Sequence, residues 1–231
     1  MHAFPARRMA KRYLQSLLII IAMTLISCVR PDFQVNGSVD LSNEHEGGAS
    51  ALTNGDDLGY NVACGVLSSL PVNMGHPNLS SDDAMADADV DAGFGIYSQL
   101  EFIRKGSKFQ DTHTHLNYLD LSGHVVYYKK MPDNRMIFGG LGPYIAYGLS
   151  GKASGNGFSE NVFGVQDGYK RFDAGVSLVG QYRLPNTLSF GLGYEWALVN
   201  KSSAPDFTSR NRTLYFSVGY SLTKLLNRTK K

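Results

Sequence analysis

Residues 187–199, TLSFGLGYEWALV, alternate with a period of two along the length of a strand. One set reads Leu188, Phe190, Leu192, Tyr194, Trp196 and Leu198; the interleaved set reads Ser189, Gly191, Gly193, Glu195 and Ala197. Successive side chains of a strand point to opposite faces, so one face here is large and apolar and the other small or polar. Strands of soluble sandwiches also alternate, but their solvent faces carry more charge and fewer glycines. A greasy outside against a crowded polar inside is the arrangement of a transmembrane β-barrel.

The same pattern recurs along the chain. In 213–222 the outer set is Leu214, Phe216, Val218, Tyr220 and Leu222, and in 171–184 it is Phe172, Ala174, Val176, Leu178, Tyr182 and Leu184. Segments 93–105 and 116–129 repeat it; 135–149 and 58–67 alternate less strictly, and 33–41 is the weakest. Each segment is near the ~9–11 residues that a tilted membrane strand needs. The expected fold is therefore all-β: an eight-stranded antiparallel up-and-down transmembrane barrel. Residues 131–134 and 185–186 carry Pro-Asp-Asn and Pro-Asn and suit tight periplasmic turns. Segments 42–57, 106–115, 150–169 and 202–209 suit longer outward loops. Segment 71–92 breaks this rule, since a periplasmic turn of that length is unusual in a compact domain. The basic tail 224–231 also departs from the aromatic ending common in such barrels.

The N-terminus points to export. Residues 1–12 hold Arg7, Arg8, Lys11 and Arg12 with no acid, and 13–27 are nearly all apolar, the pattern of a cleaved signal peptide. The apolar stretch is shorter than the ~20 residues that span a bilayer. This divides the chain into a signal peptide, 1–27, and a barrel domain, 28–231. Leu25-Ile26-Ser27-Cys28 resembles a lipobox, with Cys28 acylated after cleavage; the alternative is a chance cysteine beside an ordinary cleavage site. Cys64 fits a small residue on the lipid face. Net charge is only +2, which gives no electrostatic case for nucleic acid.

Several stretches together resemble a known family: YSQLEFIRKG (97–106), LNYLDL (116–121), GPYIAYGLSG (142–151), LGYE (192–195) and YFSVGY (215–220). In combination and order they are similar to the PorT-like outer-membrane β-barrels of Bacteroidetes, over roughly 58–222 without the long loop. The resemblance implies an eight-stranded barrel in the outer membrane. Its named member belongs to a protein-secretion apparatus, a role not carried over to this chain, and it supplies no catalytic motif. Cys28 is not a usual feature of that family.

Alternation directs Glu101, Asp120, Asp173 and Glu195 inward, with Lys105, His124 and Arg183 as partners. Eight strands leave a lumen just wide enough for side chains. The expected role is a structural charge network, because buried charges must be paired; a proton- or ion-handling site is the sharper alternative. His113 and His115 could share a metal, but spacing alone offers no third ligand, so an exposed loop pair is expected. Asp87, Asp89 and Asp91 begin like a calcium loop, but Ala92 and Ser98 replace its Gly and Glu. Tyr118, Tyr144, Tyr147, Tyr182, Tyr194 and Trp196 are read as an interfacial aromatic girdle. A set such as His113, Ser107 and Glu101 can be assembled on paper, but no Gly-x-Ser-x-Gly motif is present. The reading is a non-enzymatic, non-porin barrel with a structural or interaction role in the envelope and no cofactor or metal. Its expected partners are outer-membrane lipid, lipopolysaccharide and envelope or secretion proteins. The alternatives are a lipid-modifying enzyme and a periplasmic lipocalin-like lipoprotein held by Cys28.

Overall fold

A computed structural model describes residues 31–47, 55–70, 92–164, 168–204 and 207–223. Residues 1–27, expected from the sequence to be a signal peptide, Cys28, the Asp87–Asp91 run and the tail 224–231 lie outside the described residues, as does 71–92 apart from Ala92.

The strands are β1 (Asp32–Gly47), β2 (Gly55–Ser69), β3 (Ala92–Phe109), β4 (Thr112–Met131), β5 (Arg135–Gly155), β6 (Phe158–Asn161), β7 (Phe172–Arg183), β8 (Leu188–Ala197) and β9 (Thr208–Ser221). Every pairing between these strands is antiparallel. The order runs β4-β3-β2-β1-β9-β8-β7-β5, and β4 also pairs with β5, which closes the cylinder. Short β6 pairs only with the far end of β5 and stands on the rim, so eight strands form the wall. A closed sheet leaves no unpaired edge, the condition for strands to cross lipid.

All eight expected strands are present, but several run further than the hydrophobic period reached. The expected loop 106–115 is a tight hairpin: β3 continues to Phe109, β4 starts at Thr112, and Gln110 has φ 51° in the turn. Likewise β1 extends through Glu44 to Gly47, β9 starts at Thr208, and 150–161 is the β5–β6 hairpin. Apart from Phe109 and Phe158, these extensions hold few large apolar residues, so no apolar period marks them. The opposite end is built as expected. Pro132–Asn134 is one short turn, with Asp133 and Asn134 at φ 67° and 62°, a conformation that Asp and Asn tolerate. The start of β1 and the end of β9 lie at this same end, which the fold places in the periplasm.

The outward rows hold Val35, Val39 and Leu41; Leu58, Tyr60 and Val62; Leu119, Val125 and Tyr127; and Phe190, Leu192, Trp196 and Leu198, all exposed. Two arginines bound this apolar band on the outer side. Arg104 lies 5.9 Å over the Tyr60 ring and Arg212 5.9 Å over the Trp196 ring. Each can place its charge among headgroups and its stem against the aromatic. Cys64 is exposed in the same outward row.

Small inward residues make room for the large ones facing them. A Cβ at Gly193 would sit 2.0 Å from Cζ of Tyr215, and one at Gly65 would sit 2.5 Å from the Tyr97 hydroxyl. The glycine-rich face of the sequence is thus the face against which lumen tyrosines lie.

Candidate functional site

The inward row of each strand is polar at mid-height, and β3, β4, β7 and β8 aim their acids at one point. Lys105 Nζ lies 2.6 Å from Glu195 Oε2, 3.9 Å from Asp120 Oδ2 and 4.0 Å from Asp173 Oδ2. All four side chains are at most 2% exposed. The Lys105–Glu195 contact falls outside hydrogen-bond angles and is an ion pair. Asp40 and Glu101 belong to the same electrostatic neighbourhood. Lys105 Nζ also lies 4.8 Å over the Tyr144 ring and 5.5 Å over Tyr118. In a site without bulk water, aromatic faces add to what the carboxylates offer the ammonium.

Apolar and hydrogen-bonded layers flank this centre. Toward the periplasm, Leu67, Tyr97, Val126, Tyr128, Met136 and Phe138 pack together. The Tyr97 hydroxyl joins Gln34 (2.6 Å) and Asn36 (2.9 Å), both of which donate to it. His124 Nε2 lies 2.5 Å from Ser177 Oγ. Arg183 stands at the periplasmic end, paired with Asp32 and hydrogen-bonded to Gln34 at 3.1 Å. Toward the outside, Ile103, Leu116, Tyr118, Tyr144, Ala146 and Phe163 form a second apolar layer.

A second lysine occupies the outer rim. Lys201 Nζ lies 2.6 Å from Glu44 Oε1 and donates to Asn211 Oδ1 at 2.6 Å. Tyr169 and Ser209 donate to Glu44 Oε2 at 2.8 and 3.2 Å. Burial alone would raise the Glu44 pKa, but Lys201 and these hydrogen bonds outweigh it and hold the carboxyl below its ordinary range. Asn211 also donates to Asp173 at 2.7 Å, linking rim and centre.

On the outer wall of the same rim, His113 and His115 face Asp57, whose Oδ2 is 3.6 Å and 3.4 Å from their Nδ1 atoms. Burial and the Arg104 charge push the His115 pKa down and favour the neutral imidazole, against the opposite pull of Asp57.

A family model described as an outer membrane protein beta-barrel domain matches residues 58–203. The chain belongs to this family. Membership places it in the outer membrane and agrees with the closed eight-stranded barrel. No protein among those of curated function matches the chain at a significant level. Among solved structures, Ail, the attachment invasion locus protein of Yersinia pestis, is 15% identical with a TM-score of 0.41, covering 84% of this chain and 99% of its own. Neisserial surface protein A is 12% identical at 0.45, covering 81% and 96%. The outer membrane enzyme PagL is 13% identical at 0.41, covering 80% and 97%.

Within this family barrel, Glu101, Asp120, Asp173 and Glu195 share one neighbourhood with Lys105, whereas Arg183 sits apart from it at the periplasmic end and His124 pairs with Ser177. Asp40, Glu44 and Lys201 were not singled out in the sequence. The first two follow from the alternation of β1, whose inward row is Gln34, Asn36, Ser38, Asp40, Ser42 and Glu44. Lys201 lies after the last residue of β8, where no period reaches.

Two expectations need correction. Tyr118 and Tyr144 are not girdle residues: they are buried in the lumen around Lys105, because their strand positions share the parity of Asp120 and Ala146. Tyr147 and Trp196 do face outward. The histidine pair does have a third group beside it, Asp57, brought in by strand pairing rather than by spacing. The paper set of His113, Ser107 and Glu101 does not assemble, since Ser107 and Glu101 are buried in the barrel and His113 lies on the outer wall. The lipocalin-like alternative requires Phe190, Leu192, Tyr194 and Trp196 to line a protein core, but Phe190, Leu192 and Trp196 are exposed and Tyr194 shares their outward row.

Proposed function

We propose that this chain is a non-enzymatic, non-porin barrel with a structural or interaction role in the envelope, working through its outer rim. The observation that carries this reading is the filled lumen. Lys105 and its carboxylates cross the middle, and apolar layers close on it from both ends. Such an interior supports neither a water-filled channel nor a ligand cavity, which leaves the β3–β4 and β5–β6 hairpins and residues 198–204 as the working surface among the described residues. Partners on this reading are outer-membrane lipid, lipopolysaccharide and envelope or secretion proteins. Residues 1–27 are the export signal, and Cys28 is the candidate for acylation.

Planar-bilayer recording with the refolded mature chain tests the proposal. The expected trace stays at baseline at moderate voltage. A stable ohmic conductance would contradict a plugged barrel and return the reading to a pore.

The lipid-modifying alternative has one geometric point in its favour, the short His124–Ser177 contact. Both side chains are buried in the lumen, away from acyl chains. Cells expressing wild type and Ser177→Ala should therefore give identical lipid A mass spectra. A species lost only in the variant would favour the enzyme.

A further inference from the structure

We propose that Asp57, His113 and His115 form a site for one divalent transition-metal ion of the zinc class on the outer wall of the barrel, just above the membrane. Each of the three offers a ligand atom, and these atoms lie within 4.8 Å of one another. The two Asp57 Oδ2 to Nδ1 separations, 3.6 and 3.4 Å, are long for a hydrogen bond. They match the edge of about 3.4 Å that a tetrahedron has when its metal–ligand bonds are ~2.0–2.1 Å.

Two of the facing atoms are without a hydrogen-bond partner. Asp57 Oδ2 and His115 Nδ1 are both buried and unpartnered, although the residues that carry them are partly open to solvent. A buried polar atom left unmatched is costly, and a shared cation would satisfy both at once. The other carboxylate oxygen is already committed, since Asp57 Oδ1 accepts from the Leu58 backbone N–H at 2.9 Å. That bond orients the carboxylate and leaves Oδ2 free to ligate.

The local fold is built to bring these residues together. His113 and His115 continue the outward row that runs down β4 through Asn117 to Leu119. Their rings are near parallel, with centroids 6.1 Å apart. Asp57 reaches them because the β2–β3 register shifts between Asp56 and Tyr60, and a bulge of this kind re-aims a side chain. Gly106, opposite His115 in the ladder, leaves the space: a Cβ there would sit 3.0 Å from Asp57 Oδ2 and 3.2 Å from its Cβ.

Two imidazoles and one carboxylate suit zinc, copper or nickel rather than calcium or magnesium, which favour all-oxygen shells. Three protein ligands leave at least one position for water or an oxyanion. The lumen acids Glu101, Asp120 and Glu195 also lie close together, but Lys105 already supplies the cation there.

The test is equilibrium dialysis of the refolded mature chain against micromolar Zn2+, with metal analysis. Wild type is compared with His113→Ala, His115→Ala and Asp57→Asn, each first shown to be folded by its heat-modifiable mobility. We expect about one equivalent of zinc in wild type, and an apparent Kd raised at least about tenfold by each substitution. Cobalt in place of zinc should give the visible bands of a four-coordinate ion in wild type alone. Failure of wild type to take up one equivalent overturns the site. So does a change smaller than tenfold in any of the three variants, since the residual binding would then belong to other residues.

Discussion

Lys105 and Lys201 are both fully buried, both lie 2.6 Å from a glutamate and both cover a tyrosine ring, yet they sit in different surroundings. Lys201 has one carboxylate, Glu44, whose other oxygen takes hydrogen bonds from Tyr169 and Ser209. Lys105 has Glu195, Asp120 and Asp173 within 4.0 Å, and both Asp120 oxygens lack a hydrogen-bond donor. The rim pair is therefore a one-to-one contact between Glu44 of β1 and Lys201 after β8, with hydrogen bonds on the second Glu44 oxygen. The central lysine is the common counter-charge for acids on three strands of the wall. The comparison teaches that position along one barrel decides whether a buried lysine closes a loop or holds the cylinder.

The sharpest way to break the comparison is Lys105→Met. It leaves several buried carboxylates without a cation, and losing one partner of a buried pair costs about 3–5 kcal/mol. Urea unfolding of the refolded barrel should show a loss in that range, and a neutral result would mean that the acids do not depend on Lys105. Leu192→Arg probes the opposite face. A cation on the lipid side near mid-membrane costs about 2–4 kcal/mol, and the loss should appear in vesicles and shrink in detergent.

Lys201→Met should cost less, about 1–3 kcal/mol, because Glu44 keeps two hydrogen-bond donors. A loss equal to that of Lys105→Met would erase the distinction between centre and rim. The smallest effect is in pH. Glu44 is depressed below its ordinary value of 4.5, so its stabilising contribution is complete above that value and is lost as pH falls through the lower folded-state value. The stability gap between wild type and Lys201→Met should thus be constant from neutral pH to about 5 and close on further acidification. A gap that widens with acid would reverse the assigned sign.

The membrane band was the legible part of this molecule. Where lipid lies outside, as at Leu188–Leu198, every second residue must be apolar, and the acids at Glu101, Asp120, Asp173 and Glu195 stand out on the other parity. Above the band that constraint lapses. Strand extensions such as Lys108, His113 and His115 read as loop because both faces meet water or polar groups. Tyr118 and Tyr144 were ambiguous because a tyrosine suits either an interface or a lumen, and only parity separates the two. Asp57 was hidden for another reason. A bulge changes which face a residue takes, and its effect depends on the partner strand, which is distant in sequence. Glu44 and Lys201 meet across more than 150 positions, and nothing local in either segment announces the other.

Neighbouring residues on β2 offer the most direct test of the two-faced wall. Cys64 faces lipid and Ala63 is buried in the lumen. In liposomes, with Cys28→Ser throughout, a lipid-soluble maleimide should label Cys64 and a water-soluble one should not. With Cys64→Ser and Ala63→Cys, neither reagent should react until the barrel is unfolded. Labelling of Cys64 from water, or of position 63 from lipid in the folded state, would contradict the assignment of inside and outside on which the account rests.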